Sequence, residues 1–253
     1  MEYKERVYRQ RLDETRWFSF TVKYKETDLW IGVDHASWRV EILSRATALV
    51  RALRQEMDRH VAIDPGYATA LTPYPAGEEA PGIFREMSAV ALRSGLGPMS
   101  AVAGAVARQV GEALQREFGC REIIVENGGD IYAWIERPID ISIFAGPSPL
   151  SGRVGLAIPA GVSPLGICTS SGTVGPSLSF GKADAVTIVC RDCALADTYA
   201  TAFGNRIRSE EEIDPCLEEI GQIPDILAAV CIKGAKMGIR GAFELKIWNN
   251  LES

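Results

Sequence analysis

Between residues 122 and 144 three β-rich segments follow one another with only short turns between them. They read Glu122-Ile-Ile-Val-Glu126, Ile131-Tyr-Ala-Trp-Ile135 and Ile139-Asp-Ile-Ser-Ile-Phe144. Parallel neighbours need a crossover of a dozen or more residues. Linkers this short pair strands antiparallel. The rest of the chain agrees. Residues 17–24 and 29–33 are rich in aromatic and β-branched types, with turn chemistry at Glu26, Thr27 and Asp28, and they read as a hairpin. Shorter strands are expected at 153–158, just before Cys168, at 185–190, at 227–233 and at 243–248.

Helical periods interrupt the strands. Leu43, Ala46, Val50, Leu53 and Met57 repeat at helical spacing within residues 37–59. A second helix covers 83–93. A third starts near Pro98, which suits a first helical turn, and runs to Phe118. Further helices are expected at 192–207, with Asp192 as N-cap, and at 210–220. Residues 63–82 hold four prolines and three glycines, so they read as a long loop: a lid or binding loop, or a solvated connector. The mixed order predicts an α+β fold of mixed or antiparallel sheets packed with helices. No internal repeat and no shift of composition divides the chain, so one domain over 1–253 is expected.

A formal net charge of -6 argues against a nucleic-acid partner. The charged N-terminal stretch lacks the apolar core of a signal peptide, and no apolar run is long enough to span a bilayer. The expectation is a cytoplasmic protein with no membrane partner and six reduced cysteines.

Three segments carry the candidate chemistry. Asn127, Gly128, Gly129 and Asp130 stand between two strands. Paired glycines permit positive φ and expose backbone N–H groups to a ligand; Asn-Gly is equally a plain hairpin turn. Thr169, Ser170, Ser171 and Gly172 offer hydroxyls and free amides to phosphate or carbonyl oxygens, without a dinucleotide or P-loop pattern. Asp197 and Thr201, four apart, share one helical face. A carboxylate and a hydroxyl there suit Mg²⁺ or Ca²⁺. Ser100, Gly104, Ala107 and Gly111 form a small-residue face that either packs tightly on a neighbour or admits a ligand. Cys168 is either a nucleophile or persulfide carrier, if its pKa is lowered, or a small buried residue. Cys193, beside Cys190, sits near a helix N-terminus, whose dipole lowers a thiol pKa.

Taken in order, Asn127-Gly-Gly-Asp130, Thr169-Ser-Ser-Gly172 and Ala196-Asp-Thr-Tyr-Ala-Thr-Ala202, preceded by the small-residue helix at 101–107, resemble the ApbE-like superfamily. The resemblance covers residues 97–205. The stretch 173–184 looks like a branch distinct from its flavin transferases. The resemblance implies a T-fold-like α+β architecture with a cleft for FAD or FMN. It also implies a metal held by Asp197, Thr201 and a backbone carbonyl within 102–104. In the transferases the activity is Mg²⁺-dependent transfer of FMN from FAD to a protein Thr or Ser. Those enzymes carry a histidine after the Ser-Gly loop. This chain has none there, and its two histidines, His35 and His60, stand upstream. Lys182 and Asp184 are the remaining candidates for that base. The expected function is therefore binding of a flavin or other nucleotide-type ligand with a hard divalent metal, without efficient flavin transfer. The alternatives are sulfur chemistry on Cys168 and a ligand-binding or scaffold protein without chemistry.

Overall fold

The structure is a computed structural model, and it describes residues 15–172 and 181–248. Eleven strands and six α-helices occur among them. In chain order they are β1 (Trp17–Tyr24), β2 (Thr27–Asp34), α1 (Val40–Ile63), α2 (Pro65–Thr69), α3 (Gly82–Ser94) and α4 (Val102–Phe118). Next come β3 (Ile123–Asn127), β4 (Asp130–Trp134), β5 (Ile139–Ser142), β6 (Val154–Ile158), β7 (Leu165–Ser170) and β8 (Ala185–Cys190). The order closes with α5 (Cys193–Gly204), α6 (Ile213–Ile220), β9 (Ile226–Lys233), β10 (Lys236–Gly241) and β11 (Glu244–Ile247).

Every paired strand is antiparallel, and short turns join β1 to β2, β3 to β4 and β9 to β10. Strand β5 nevertheless does not pair with β4 across their short link but leaves for a second sheet, where it pairs with β6. Eight strands form one sheet in the order β1-β2-β3-β4-β7-β8-β9-β10, and three form a second in the order β11-β6-β5. One face of the large sheet carries the helices. Val125, Tyr132, Cys168, Val186 and Ile188 join Val50, Leu114 and Ala200 in that core. The other face packs on the small sheet, where Ile167, Val189 and Val230 meet Ile141, Leu156 and Ile158. Coverage on both faces explains why β2 and β8 are buried along their whole length. Leu29, Ile31 and Ile123 have no exposed surface, and each contributes about 1.5–3 kcal/mol by burial.

Glu122 fastens the corner where the chain leaves the large sheet for β5. Its carboxylate accepts from Arg16 at 2.5 and 3.0 Å and from the backbone amides of Glu136 and Arg137 at 3.0 Å each. Burial pushes this carboxyl up. The Arg16 hydrogen bonds and the two amides outweigh it and bring the carboxyl down to about 2.

Several expectations shift. The first hairpin turns at Lys25 and Glu26, because Tyr24 pairs with Thr27. The buried stripe of α1 begins at Ile42, while Leu43 is 38% exposed. The Pro/Gly-rich stretch contains a one-turn helix, α2, because Pro65 stands at its first position. The remainder of that stretch is tied down: Tyr74 donates to Asp64 at 3.0 Å, Ser88 to the Tyr74 carbonyl at 2.8 Å, and the Gly97 amide to the Leu71 carbonyl at 3.0 Å. Pro98 opens a 3-10 turn, Pro98–Ala101, ahead of α4 rather than α4 itself. Strand β10 lies between the two late strands expected at 227–233 and 243–248, where the sequence assigns no element. Among the described residues no single helix is long and apolar enough to cross a membrane.

Candidate functional site

The antiparallel order brings the three segments to one end of the helix-side face. Asn127 and Asp130 pair across a two-residue turn, with φ of +72° at Gly128 and +109° at Gly129. Side chains resist these values, which glycine adopts freely. Asp130 then pairs with Cys168 on β7, and β7 leads directly into Ser170, Ser171 and Gly172. Helix α5 lies over this surface and α4 abuts it. The turn is stitched to α4 by Asn127, whose Nδ2 donates to the Ala103 carbonyl at 3.1 Å.

Asp197 sits at the centre. It is only 7% exposed, and its Oδ2 accepts from the Gly104 amide at 2.8 Å. The Ala103 amide bonds it too. An aspartate from α5 thus caps the first turn of α4, which has no capping side chain of its own. Asp130 faces it from the turn, beside Cys168, its pairing partner on β7. Burial raises both carboxyls above the ordinary carboxylate range, and the Asp197 charge raises Asp130 further. Two buried like charges disfavour simultaneous ionisation.

The small-residue face of α4 serves close packing. A Cβ on Gly104 would lie 2.4 Å from the Cys193 carbonyl oxygen, and one on Gly111 would lie 2.3 Å from the Tyr132 ring. Gly172 is crowded in the same way by the Gly181 carbonyl, at 2.2 Å.

The other expected residues take up separate positions. Thr169 turns its hydroxyl away from the helix side to Thr187 Oγ1 at 2.8 Å. Ser170 lies beside the C-terminal end of α5, 3.3 Å from where a Gly204 Cβ would stand. The Gly129 amide already donates to Glu126 Oε1 at 2.7 Å. Thr201 is half-buried, one turn beyond Asp197 on α5. Asp184 is held at the β9–β10 turn, accepting from the Gly234 amide at 2.7 Å and the Lys233 ammonium at 3.5 Å. Residues 173–180, where the transferase histidine is looked for, lie outside the described residues, as does the N-terminal charged stretch through Glu14.

Cys168 has no exposed surface. Its thiol is 3.4 Å from the Cys193 carbonyl and 3.7 Å from Cys193 Sγ. Burial raises the pKa of both thiols. The helix N-terminus therefore does not yield a low-pKa Cys193, because desolvation outweighs the dipole. Sequence reasoning also missed a hydroxyl trio next to Asp197: Thr198 Oγ1 lies 2.7 Å from both Ser94 Oγ and Ser100 Oγ. Thr198 stood in the open beside Asp197, but Ser94 is distant in sequence and gave no signal. Among the described residues no three His, Cys, Asp or Glu side chains cluster as a metal would require. Any metal here relies on hydroxyl and carbonyl oxygens besides carboxylate. A groove of about 590 Å³, lined by Arg93, Leu96, Tyr199, Phe203, Arg206 and Ile223 among others, runs along the opposite side of α5. None of Asn127, Asp130, Asp197 or Thr201 lines it.

This architecture defines a class. It is shared with the apo flavinyl transferase ApbE of Pseudomonas stutzeri, at a TM-score of 0.50 and 14% identity over 90% of this chain and 95% of that one. It is shared equally with the ApbE protein of Thermotoga maritima, at a TM-score of 0.51 and 12% identity over 88% and 96%. Within that class, the chain belongs to the family described as AbpE bacteria, which matches residues 9–218. Its relatives include a UPF0280 protein of Methanocella arvoryzae, 41% identical over 189 residues, or 75% of this chain and 76% of the relative. Another is the UPF0280 protein of Methanosarcina barkeri, 36% identical over 228 residues and 88% of each chain.

Proposed function

We propose that the end of the helix-side face binds a flavin or other nucleotide-type ligand together with a hard divalent cation held at Asp197 and Thr201. The observation that carries this reading is the buried Asp197 carboxyl at the first turn of α4, with the buried Asp130 of the Asn127–Asp130 turn facing it. Two carboxyls with no solvent to share leave a deficit of positive charge, which protons or one divalent cation can fill. The donor set fits Mg²⁺. That ion is commonly bound through one or two carboxylates, with substrate phosphates and water completing its shell. When bound, it supplies charge neutralisation to a ligand's diphosphate.

The chain's own residues do the rest. Asn127 fixes the turn against Ala103. Ser170 and Ser171 place hydroxyls at the end of β7, next to α5, within reach of anionic oxygens. The stretch 63–82 meets the approach to α4 at Gly97 and is read as the rim of the cleft. Flavin transfer is not part of the proposal. The motif segment lacks a histidine, and Asp184 is engaged at the β9–β10 turn. Sulfur chemistry on Cys168 finds no support, since burial favours its neutral thiol.

The test is to denature purified protein and analyse what it releases by absorbance and mass spectrometry, with equilibrium dialysis against FAD and FMN in Mg²⁺. Release or uptake of a flavin or nucleotide is expected. Protein that releases nothing and takes up neither flavin would favour the scaffold alternative.

A further inference from the structure

The hydroxyl trio beside Asp197 has a direction that follows from counting hydrogens. Each hydroxyl carries one hydrogen and accepts through its lone pairs. Ser100 Oγ donates to the Gly97 carbonyl at 2.7 Å, so its contact with Thr198 must be as acceptor. Thr198 therefore donates to Ser100 and accepts from Ser94, both at 2.7 Å. Ser94's alternative acceptor, the Ala91 carbonyl, is longer at 3.3 Å. The chain runs Ser94 to Thr198 to Ser100 to the Gly97 carbonyl, and Thr198 has no exposed surface. It joins three elements: the last residue of α3, the middle of α5 and the 3-10 turn that leads into α4.

Residues 197 and 198 thus grip one helix start at adjacent points. Thr198 holds Ser100, and Asp197 holds Gly104 four residues further on. Sliding or rolling α5 would break both grips together.

We infer that Thr198 is a positioning residue that sets the Asp197 carboxylate against the first turn of α4 for cation binding. The inference rests on the cation reading above. Groups that orient a metal ligand typically cost 10–100-fold in metal affinity when removed. The hydroxyl matters here, because valine keeps the shape and loses both hydrogen bonds.

The test titrates Mg²⁺ alone into wild type, Thr198→Val and Thr198→Ser by calorimetry. Amide hydrogen exchange at Ala103 and Gly104 is followed in the same proteins without metal. Thr198→Val is expected to weaken Mg²⁺ binding by roughly tenfold or more and to speed exchange at those two amides beyond any change along the rest of α4. Thr198→Ser is expected to restore both. A folded Thr198→Val protein matching wild type in affinity and in those two exchange rates overturns the inference. If wild type itself binds no Mg²⁺, the cation reading fails, and the exchange data alone decide whether Thr198 holds the carboxylate in place.

Discussion

Asp197 and Glu122 are both buried acids, and their surroundings treat them in opposite ways. Asp197 has backbone amides and, among the described residues, no cationic side chain beside it, so burial dominates and its carboxyl stays protonated to higher pH. Glu122 has Arg16 and Arg137 beside it, so its ionised form is favoured. The sign of its linkage follows. A folded pKa of about 2, below the ordinary 4.5, gives stability that is present above the ordinary value and lost as pH falls through about 2. Acid unfolding of wild type should therefore steepen between those values. Glu122→Gln should flatten that limb, and at neutral pH should cost about 3 kcal/mol by leaving Arg16 without its partner. Equal acid limbs in the two proteins would show that Glu122 is not ionised as described. At this scale the sequence was informative where local spacing decides the matter. Asp197 and Thr201 fall on one face because they are four apart. The Cys193 thiol was misjudged because its burial depends on β7, which approaches from elsewhere in the chain.

Helix α5 meets α4 at Gly104 with no room for a methyl group. The atoms crowding that position, the Cys193 carbonyl oxygen at 2.4 Å and its carbon and Asp197 Cβ at 2.9 Å each, belong to α5 at or next to its backbone. None of them can swing aside. Gly104→Ala should therefore destabilise by about 1–3 kcal/mol through overpacking, read as a lower denaturant midpoint with an unchanged slope. Wild-type stability in that variant would mean that the helices are not in contact there. Helices were legible at the element level because a 3.6-residue period needs no partner to be seen. Strand β10 was not, since the two glycines of Lys236-Met-Gly-Ile-Arg-Gly241 weaken its strand pattern. Its Gly238 is set by tertiary contact: a side chain there would meet Leu217 and Ile213 of α6 at 2.4 and 2.8 Å. Helix α2 escaped notice because Pro65 breaks a helix everywhere except at the first turn.

At the scale of the molecule, one sheet serves two layers, and the site forms where the helix layer closes on the sheet's edge of turns. Antiparallel pairing of β3 with β4 follows from the short turn between them, while β4 and β5, also joined by a short link, part into different sheets. The division into two sheets was not, because it depends on β11 returning to pair with β6 from far along the chain. Four segments scattered over residues 97–205 are legible as motifs, but their convergence on Asp197 is a property of the fold. The same view bears on flavin transfer. A positioned base contributes roughly 10²–10⁴-fold to deprotonating a hydroxyl. His35 follows β2, His60 packs on Phe84 at 4.1 Å from α1, and neither belongs to the converging segments. Incubation with FAD, Mg²⁺ and a Thr-bearing acceptor peptide should give no covalent flavin adduct. A rapid, Mg²⁺-dependent mass increase equal to FMN would reverse that conclusion and make Asp184 the next residue to substitute.

The central claim is that Asp197 anchors a divalent cation. Its most direct test is calorimetric titration of Mg²⁺ into wild type and Asp197→Asn. The asparagine keeps an oxygen to accept the Gly104 amide, so α4 retains its cap while the charge is lost. Saturable Mg²⁺ binding in wild type and none in the folded variant is the expected result. Equal binding in both proteins would contradict the account.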